Sequence, residues 1–313
     1  MEYLYIFIAK VVGGSKSYAM KESGKRAGGM NNAIMISLIR SAICVTVSLI
    51  IWLCSGAAGT TAEGNLIIVA SGIANAVNLL FWLLSSSVVS LCLLELFLMI
   101  GTVGVPILIT PLIFPGQTVS VFQWIGCAVL FFAVALIASG ETNRDKGNLK
   151  KKVLFVFTCM IGAAMYVLSQ KVYTFYISGK GLGNIAYYNF LNFVVVFSVF
   201  FALFLFIEIS AYLKRKHSLG GEEECGKPKL IISTLPFKKI WYLVAFAAVA
   251  LYIDQYLSTA ASTLDSAIYY PMAYGLSLII AAMLDTFVFG TKLSLKRIVA
   301  IVLVVVSMLL VNL

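Results

Sequence analysis

The chain has 313 residues, 61% of them hydrophobic and 12% charged, with a mean hydropathy of +0.99 and a formal net charge of +10. Soluble domains run to about 45–50% apolar and about 25% charged residues, so the composition excludes a soluble globular protein. The positive balance raises a nucleic-acid reading, which the placement of the basic residues removes below.

A bilayer-spanning helix takes roughly 20 apolar residues, and backbone groups in lipid must bond within their own segment, so long apolar runs predict helices. Ten are predicted, over about 3–20, 32–54, 65–84, 88–112, 120–139, 152–174, 185–213, 239–258, 263–287 and 296–313. Lys10 and Lys16 interrupt the first. Its opening Glu2, with no A-x-A site behind the apolar stretch, argues against a cleavable signal peptide. In the second, Arg40 can snorkel to an interface.

Segment three carries Ser71, Asn75, Asn78 and Trp82 at spacings that place them on one helical face. That stripe reads either as a cavity wall or as amides bonding between helices. Segment four has no Lys or Arg but holds Glu95, Gly101, Gly104, Pro106 and Pro111, which predicts a bent helix. Glu95 falls roughly 10 Å deep at 1.5 Å per residue. Intramembrane charge costs about 2.5–3.5 kcal/mol and tends to mark a pathway. Glu95 therefore reads as a protonatable or cation-binding group, or as a neutral acid held by a local hydrogen bond. In segment six, Lys171 either snorkels or meets an anionic substrate.

Segment eight places Asp254 and Gln255 between Tyr252 and Tyr256. Asp254 reads as a second ionisable contact or as an interfacial residue. In segment nine Tyr270, Tyr274 and Ser277 share a face, Asp265 and Tyr269 share another, and Pro271 between them predicts a broken or kinked helix. Asp265 suits a helix start, and Asp285 and Glu208 suit surface pairing with the basic loops. Segments five and ten carry almost no polar groups and are expected to pack on their own repeat or to face lipid.

Nineteen of the twenty-three Lys and Arg fall after or at the edges of segments one, five, seven and nine. With ten spans these loops share one face, and the opposite loops hold only Lys180. This is the positive-inside pattern. It makes the basic face cytoplasmic and both termini extracytoplasmic, and it answers the nucleic-acid reading. No G-x-x-x-x-G-K-[ST] loop supports nucleotide hydrolysis. Six scattered cysteines and one histidine, His217, support neither a metal site nor a disulfide framework.

The chain also repeats itself. Gly116 to Ala138 (GQTVSVFQWIGCAVLFFAVALIA) matches Gly290 to Val311 (GTKLSLKRIVAIVLVVVSMLLV), with Ser120 opposite Ser294 at an offset of 174. A weaker match joins Leu4–Phe7 to Leu154–Phe157, with Lys21 opposite Lys171, at an offset of 150. Under the 174 offset, Asn78 and Trp82 correspond to Tyr252 and Tyr256. The division is 1–139 and 152–313, joined by a basic linker at 140–151, with a polar insertion at about 214–238 in the second half. A duplicated block of hydrophobic segments marks a secondary transporter. An odd number of helices per copy inserts the two in opposite orientations.

The stretch SAIYYPMAYGLS from Ser266 to Ser277, then FGTKLSLKR from Phe289 to Arg297 and the apolar tail, resembles the drug/metabolite transporter superfamily in its EamA-type branch. The first half repeats the pattern more loosely from Ser86 to Ala138. Where the family places an acidic residue before the Lys-Leu-Ser turn, Thr291 and Gln117 stand here. The resemblance implies two inverted five-helix repeats around a central cavity, alternating access, and dimer contact through segments five and ten as an option.

The expected protein is thus an all-α integral membrane carrier in the plasma membrane, exporting a small organic metabolite, with proton coupling or facilitated exchange, no cofactor and no nucleic-acid partner. The pathway residues are Glu95, Asp254, Asn75, Asn78, Trp82, Tyr252, Gln255, Tyr256, Tyr270, Tyr274 and Lys171. The alternatives are a non-transporting membrane receptor or scaffold and, further off, an integral-membrane enzyme.

Overall fold

The structure is a computed structural model that describes residues 2–27, 29–113, 120–141, 149–218, 237–262, 266–290 and 294–311. Residues 142–148 of the basic linker, 219–236 of the polar insertion, Gln117, Asp265 and Thr291 lie outside the described residues, as does the Tyr270 side chain.

The described residues form helices and short connections, with no strand among them. The helices are α1 (Glu2–Ala27), α2 (Met30–Cys54), α3 (Ala62–Val88), α4 (Leu91–Met99), α5 (Val105–Ile113), α6 (Val121–Glu141), α7 (Leu149–Tyr176), α8 (Ile185–Ser218), α9 (Phe237–Ala261), α10 (Ser266–Met283) and α11 (Leu295–Val311). A π-helical turn, Ile100–Gly104, joins α4 to α5, and another, Leu284–Val288, extends α10. Each apolar segment thus carries one helix, the fourth as α4, π turn and α5.

Five helical stretches are long and apolar enough to cross a membrane: Met30–Cys54, Ala62–Val88, Lys150–Lys180, Ile185–Leu213 and Ile240–Ala261. Shorter apolar stretches occur at Leu91–Gly104, Val121–Ala133, Ala273–Val288 and Ile298–Ser307. α1 belongs to neither set, because Lys10, Lys16, Lys21 and Lys25 punctuate it.

Local chemistry sets several helix starts. Thr61 accepts from the Gly64 N–H at 3.2 Å and Ser90 from that of Leu93 at 3.3 Å. Ser120 and Gln123 form a capping box at the start of α6: the Ser120 Oγ accepts the Gln123 N–H at 3.2 Å, and the Gln123 Oε1 accepts the Ser120 N–H at 3.0 Å. Its repeat mate Ser294 stands immediately before α11. Segment four, expected to bend, carries the π turn between Glu95 and Pro106. α10, by contrast, runs unbroken through Pro271, and its irregular turn comes at Leu284–Val288 instead.

The main packing partners are α1 with α9, α3 with α7, α2 with α8, and α6 with α11. Small residues bring these helices close. A Cβ on Gly162 of α7 would stand 2.7 Å from the Asn78 backbone nitrogen and 3.1 Å from the Ala74 carbonyl oxygen of α3. α6 and α11, expected on their own repeats or facing lipid, pack on each other, with the Ser307 hydroxyl donating to the Gly126 carbonyl at 2.6 Å. Large apolar side chains remain on the outside, among them Leu66, Phe206 and Phe287. Such a perimeter is costly in water and suits lipid.

Candidate functional site

One cavity of about 120 Å³ lies inside the bundle, walled by α1, α3, α4 with its π turn, α7, α9 and α10. α1 supplies Lys10, Lys16 and Ser17, and α3 supplies Asn78 and Trp82. Glu95 and Thr102 come from α4 and its π turn, Tyr166 and Gln170 from α7. α9 adds Asp254, Gln255 and Ser258, and α10 adds Tyr269, Tyr274 and Ser277.

Asp254 is the polar centre. Lys10 Nζ donates to Asp254 Oδ1 at 3.1 Å, and Lys16 Nζ donates to Oδ2 of the same carboxylate. The Ser258 hydroxyl accepts from Lys10 Nζ at 3.2 Å and donates to Asp254 Oδ1 at 3.4 Å. The approach depends on Gly13, one turn beyond Lys10: a Cβ there would stand 3.2 Å from the Asp254 carboxyl carbon. Lys10 Nζ also lies 5.5 Å from the centroid of the Tyr274 ring, within cation–π range. Glu95 shares the field of Lys16, Lys10 and Asp254, and the Trp82 indole is its polar neighbour.

Of the residues singled out in the sequence, Glu95, Asp254, Asn78, Trp82, Gln255 and Tyr274 share this cavity. Asn75 stands behind it. Its amide donates to Asn192 Oδ1 at 2.7 Å, and the Gln255 amide donates to Asn75 Oδ1 at 3.1 Å. The Asn192 amide donates to Ser71 at 3.1 Å, and Ser71 in turn meets the Tyr188 hydroxyl at 2.6 Å. The stripe on α3 therefore divides: Ser71 and Asn75 bond between helices, while Asn78 and Trp82 face the cavity. Tyr252 turns the other way, its ring 6.0 Å from Phe193 and 5.9 Å from Tyr256. Tyr256 lines a separate open depression beside residues 58–61 and 181–186.

Lys171 is buried without lining the cavity, and its ammonium donates to the Ser262 carbonyl at 2.9 Å. Gln170, its neighbour, does reach the cavity and donates to Thr259 at 2.6 Å. Two sequence expectations are corrected. Arg40 is 1% exposed rather than snorkelling, because α2 turns it toward the interior. Asp285 is 1% exposed and forms a buried pair with Lys21, since the π turn at the end of α10 carries it inward toward α1.

Lys10 and Lys16, which in the sequence only interrupt an apolar run, form the basic half of the site. The available signal was charge pairing: two lysines in one apolar segment need a carboxylate from another. Ser17, Thr102, Tyr166 and Ser258 gave no sequence signal, because hydroxyls in helices are common and their facing depends on tertiary packing.

The cavity can hold a small polar or charged solute away from bulk water, between two ammonium groups, two carboxyl groups and an aromatic wall. Among the described residues, no group of three His, Cys, Asp or Glu is placed to hold a metal.

No family model and no curated protein matches this chain. A solved crystal structure superposes on 99% of this chain and 95% of its own length, with a TM-score of 0.61 and 11% identity. A likeness at that identity shows a shared fold.

Proposed function

We propose that the chain is a secondary carrier of the cell membrane, crossing the bilayer ten times as two inverted five-helix repeats. In this reading it is kin to the EamA-type drug/metabolite transporters and moves a small organic metabolite by alternating access. The observation that carries the reading is the cavity itself. A largely apolar helical bundle gathers Lys10, Lys16, Glu95 and Asp254 around one internal space. Charge that is costly in a membrane interior tends to mark a substrate or ion path.

The packing supports the repeat. Exchanging the two halves carries the α1–α9 contact onto α7–α3, and returns α2–α8 and α6–α11 to themselves. The cavity draws on both halves, as alternating access around one central site requires. Glu95 is the group proposed to exchange protons, and the basic loops are proposed to be cytoplasmic.

The test is flux. Proteoliposomes loaded with a cell metabolite extract should lose particular solutes faster than protein-free liposomes, and cells lacking the protein should retain those same solutes. Identical retention with and without protein would leave a receptor or scaffold as the better reading.

A further inference from the structure

We propose that the cavity's substrate is a small organic anion with an apolar or aromatic body, and that Asp254 is a resident stand-in for its acid group. The inference rests on the carrier reading and names its substrate class. Lys10 and Lys16 both point at one carboxylate, Asp254, on a different helix. All three side chains line the cavity and are 10%, 17% and 9% exposed respectively. Two ammonium groups sharing one ionised carboxylate leave one positive charge to be balanced whenever Glu95, the other carboxyl of the wall, is protonated. A ligand acid group supplies what is lacking, and its oxygens can take the place held by the Asp254 oxygens.

The rest of the wall fits the same ligand. Tyr274 lies beside Lys10, and the aromatic side chains of Trp82, Tyr166 and Tyr269 line the same space. An acid group on the lysines would leave an apolar body against these rings. Asp254 then acts as a competitor: it keeps the lysines paired when the site is empty, and yields them when an anion enters. The lysines keep an anionic partner throughout, and Asp254 stays in the field of both ammonium groups, so no buried charge is left uncompensated.

Removing this buried carboxylate should therefore strengthen ligand binding. The probes are benzoate, benzylamine and benzyl alcohol, which share a ring and differ in charge. Their affinities are measured calorimetrically on the detergent-solubilised protein, with the same radiolabelled compounds followed into proteoliposomes. Benzoate is expected to bind the wild type in preference to the other two. Lys16→Met should weaken benzoate about tenfold, as expected when one of two close charge contacts is lost. Lys10 still pairs Asp254 in that variant, and an unchanged elution profile confirms its fold. Asp254→Asn should strengthen benzoate several-fold.

Benzylamine binding in preference to benzoate, or Asp254→Asn losing benzoate, overturns the anion assignment. So does a failure of benzoate to bind at all. Flux of benzylamine without benzoate overturns the assignment while leaving a carrier. Benzoate binding that follows the expected order without any flux leaves the anion site standing and removes the carrier reading.

Discussion

Lys21 of α1 and Asp285 at the π-helical end of α10 meet at 3.0 Å, with side chains 7% and 2% exposed. The second Asp285 oxygen accepts the Cys92 backbone N–H at 2.8 Å, at the start of α4. Lys21 Nζ also lies 4.3 Å from the Phe289 ring centroid. One carboxylate thus ties three helices together just beyond the cavity.

Asp285→Ala removes both the counter-ion of a buried lysine and the acceptor of a backbone N–H. Removing one partner of a buried pair costs about 3–5 kcal/mol. Asp285→Asn keeps an acceptor for Cys92 and should cost less. Melting of the purified protein in detergent should rank wild type above Asp285→Asn and Asp285→Ala lowest. Equal melting of all three would mean that the pair adds nothing to stability.

The amide network gives a second stability test. Asn75 joins α3 to Asn192 of α8 and Gln255 of α9 at once, so Asn75→Leu leaves two amides short of a partner. Interhelical hydrogen bonds in membranes are worth about 0.6–2 kcal/mol each. Asn75→Leu should lower the melting temperature, and adding Asn192→Leu should cost less than the sum of the single changes, as for residues in one network. Strict additivity would show that the amides act independently.

The sequence revealed the helices because apolar runs of that length have few other ways to satisfy their backbones. It also exposed Glu95 and Asp254, since a carboxyl in an apolar run stands out in one dimension. Which groups meet is a tertiary matter. Asn75 and Asn78 look alike along α3, yet one meets Asn192 and the other the cavity, because a spacing of three leaves the side chains about 60° apart and the packing of α7, α8 and α9 gives each a different neighbour. Lys171 looked like a ligand contact and Lys10 like an interruption. The packing of α1 on α9 reverses those roles by bringing Lys10 to Asp254 and leaving Lys171 on a carbonyl.

Two native cysteines test the sidedness proposed from the basic loops. Cys54 ends α2 and is exposed, on the side expected to be extracytoplasmic, whereas Cys225 belongs to the polar insertion in the sequence. A membrane-impermeant maleimide applied to intact cells should modify Cys54 and spare Cys225, as read by peptide mass mapping. Permeabilised cells should label both. Modification of Cys225 in intact cells would invert the orientation without touching the helical fold.

The last prediction concerns coupling. Glu95 faces Lys10, Lys16 and Asp254 across the cavity, with Trp82 beside it. When Glu95 carries a proton, two lysines face one ionised carboxylate, and a single bound anion balances the site. When Glu95 is ionised, the four groups already balance and an added anion brings excess negative charge. A proton on Glu95 and an anion on the lysines therefore favour each other, and by linkage each raises the affinity for the other. Glu95→Gln fixes the neutral form while keeping the shape. It should bind benzoate at high pH as well as at low pH, and it should lose flux driven by a pH gradient while retaining exchange of solute for solute. Wild-type dependence on the gradient in Glu95→Gln would remove Glu95 from the coupling. If Asp254→Asn then lost that dependence, the proton site would lie on α9. If both variants kept it, neither carboxyl would couple protons, and the carrier would be a facilitator.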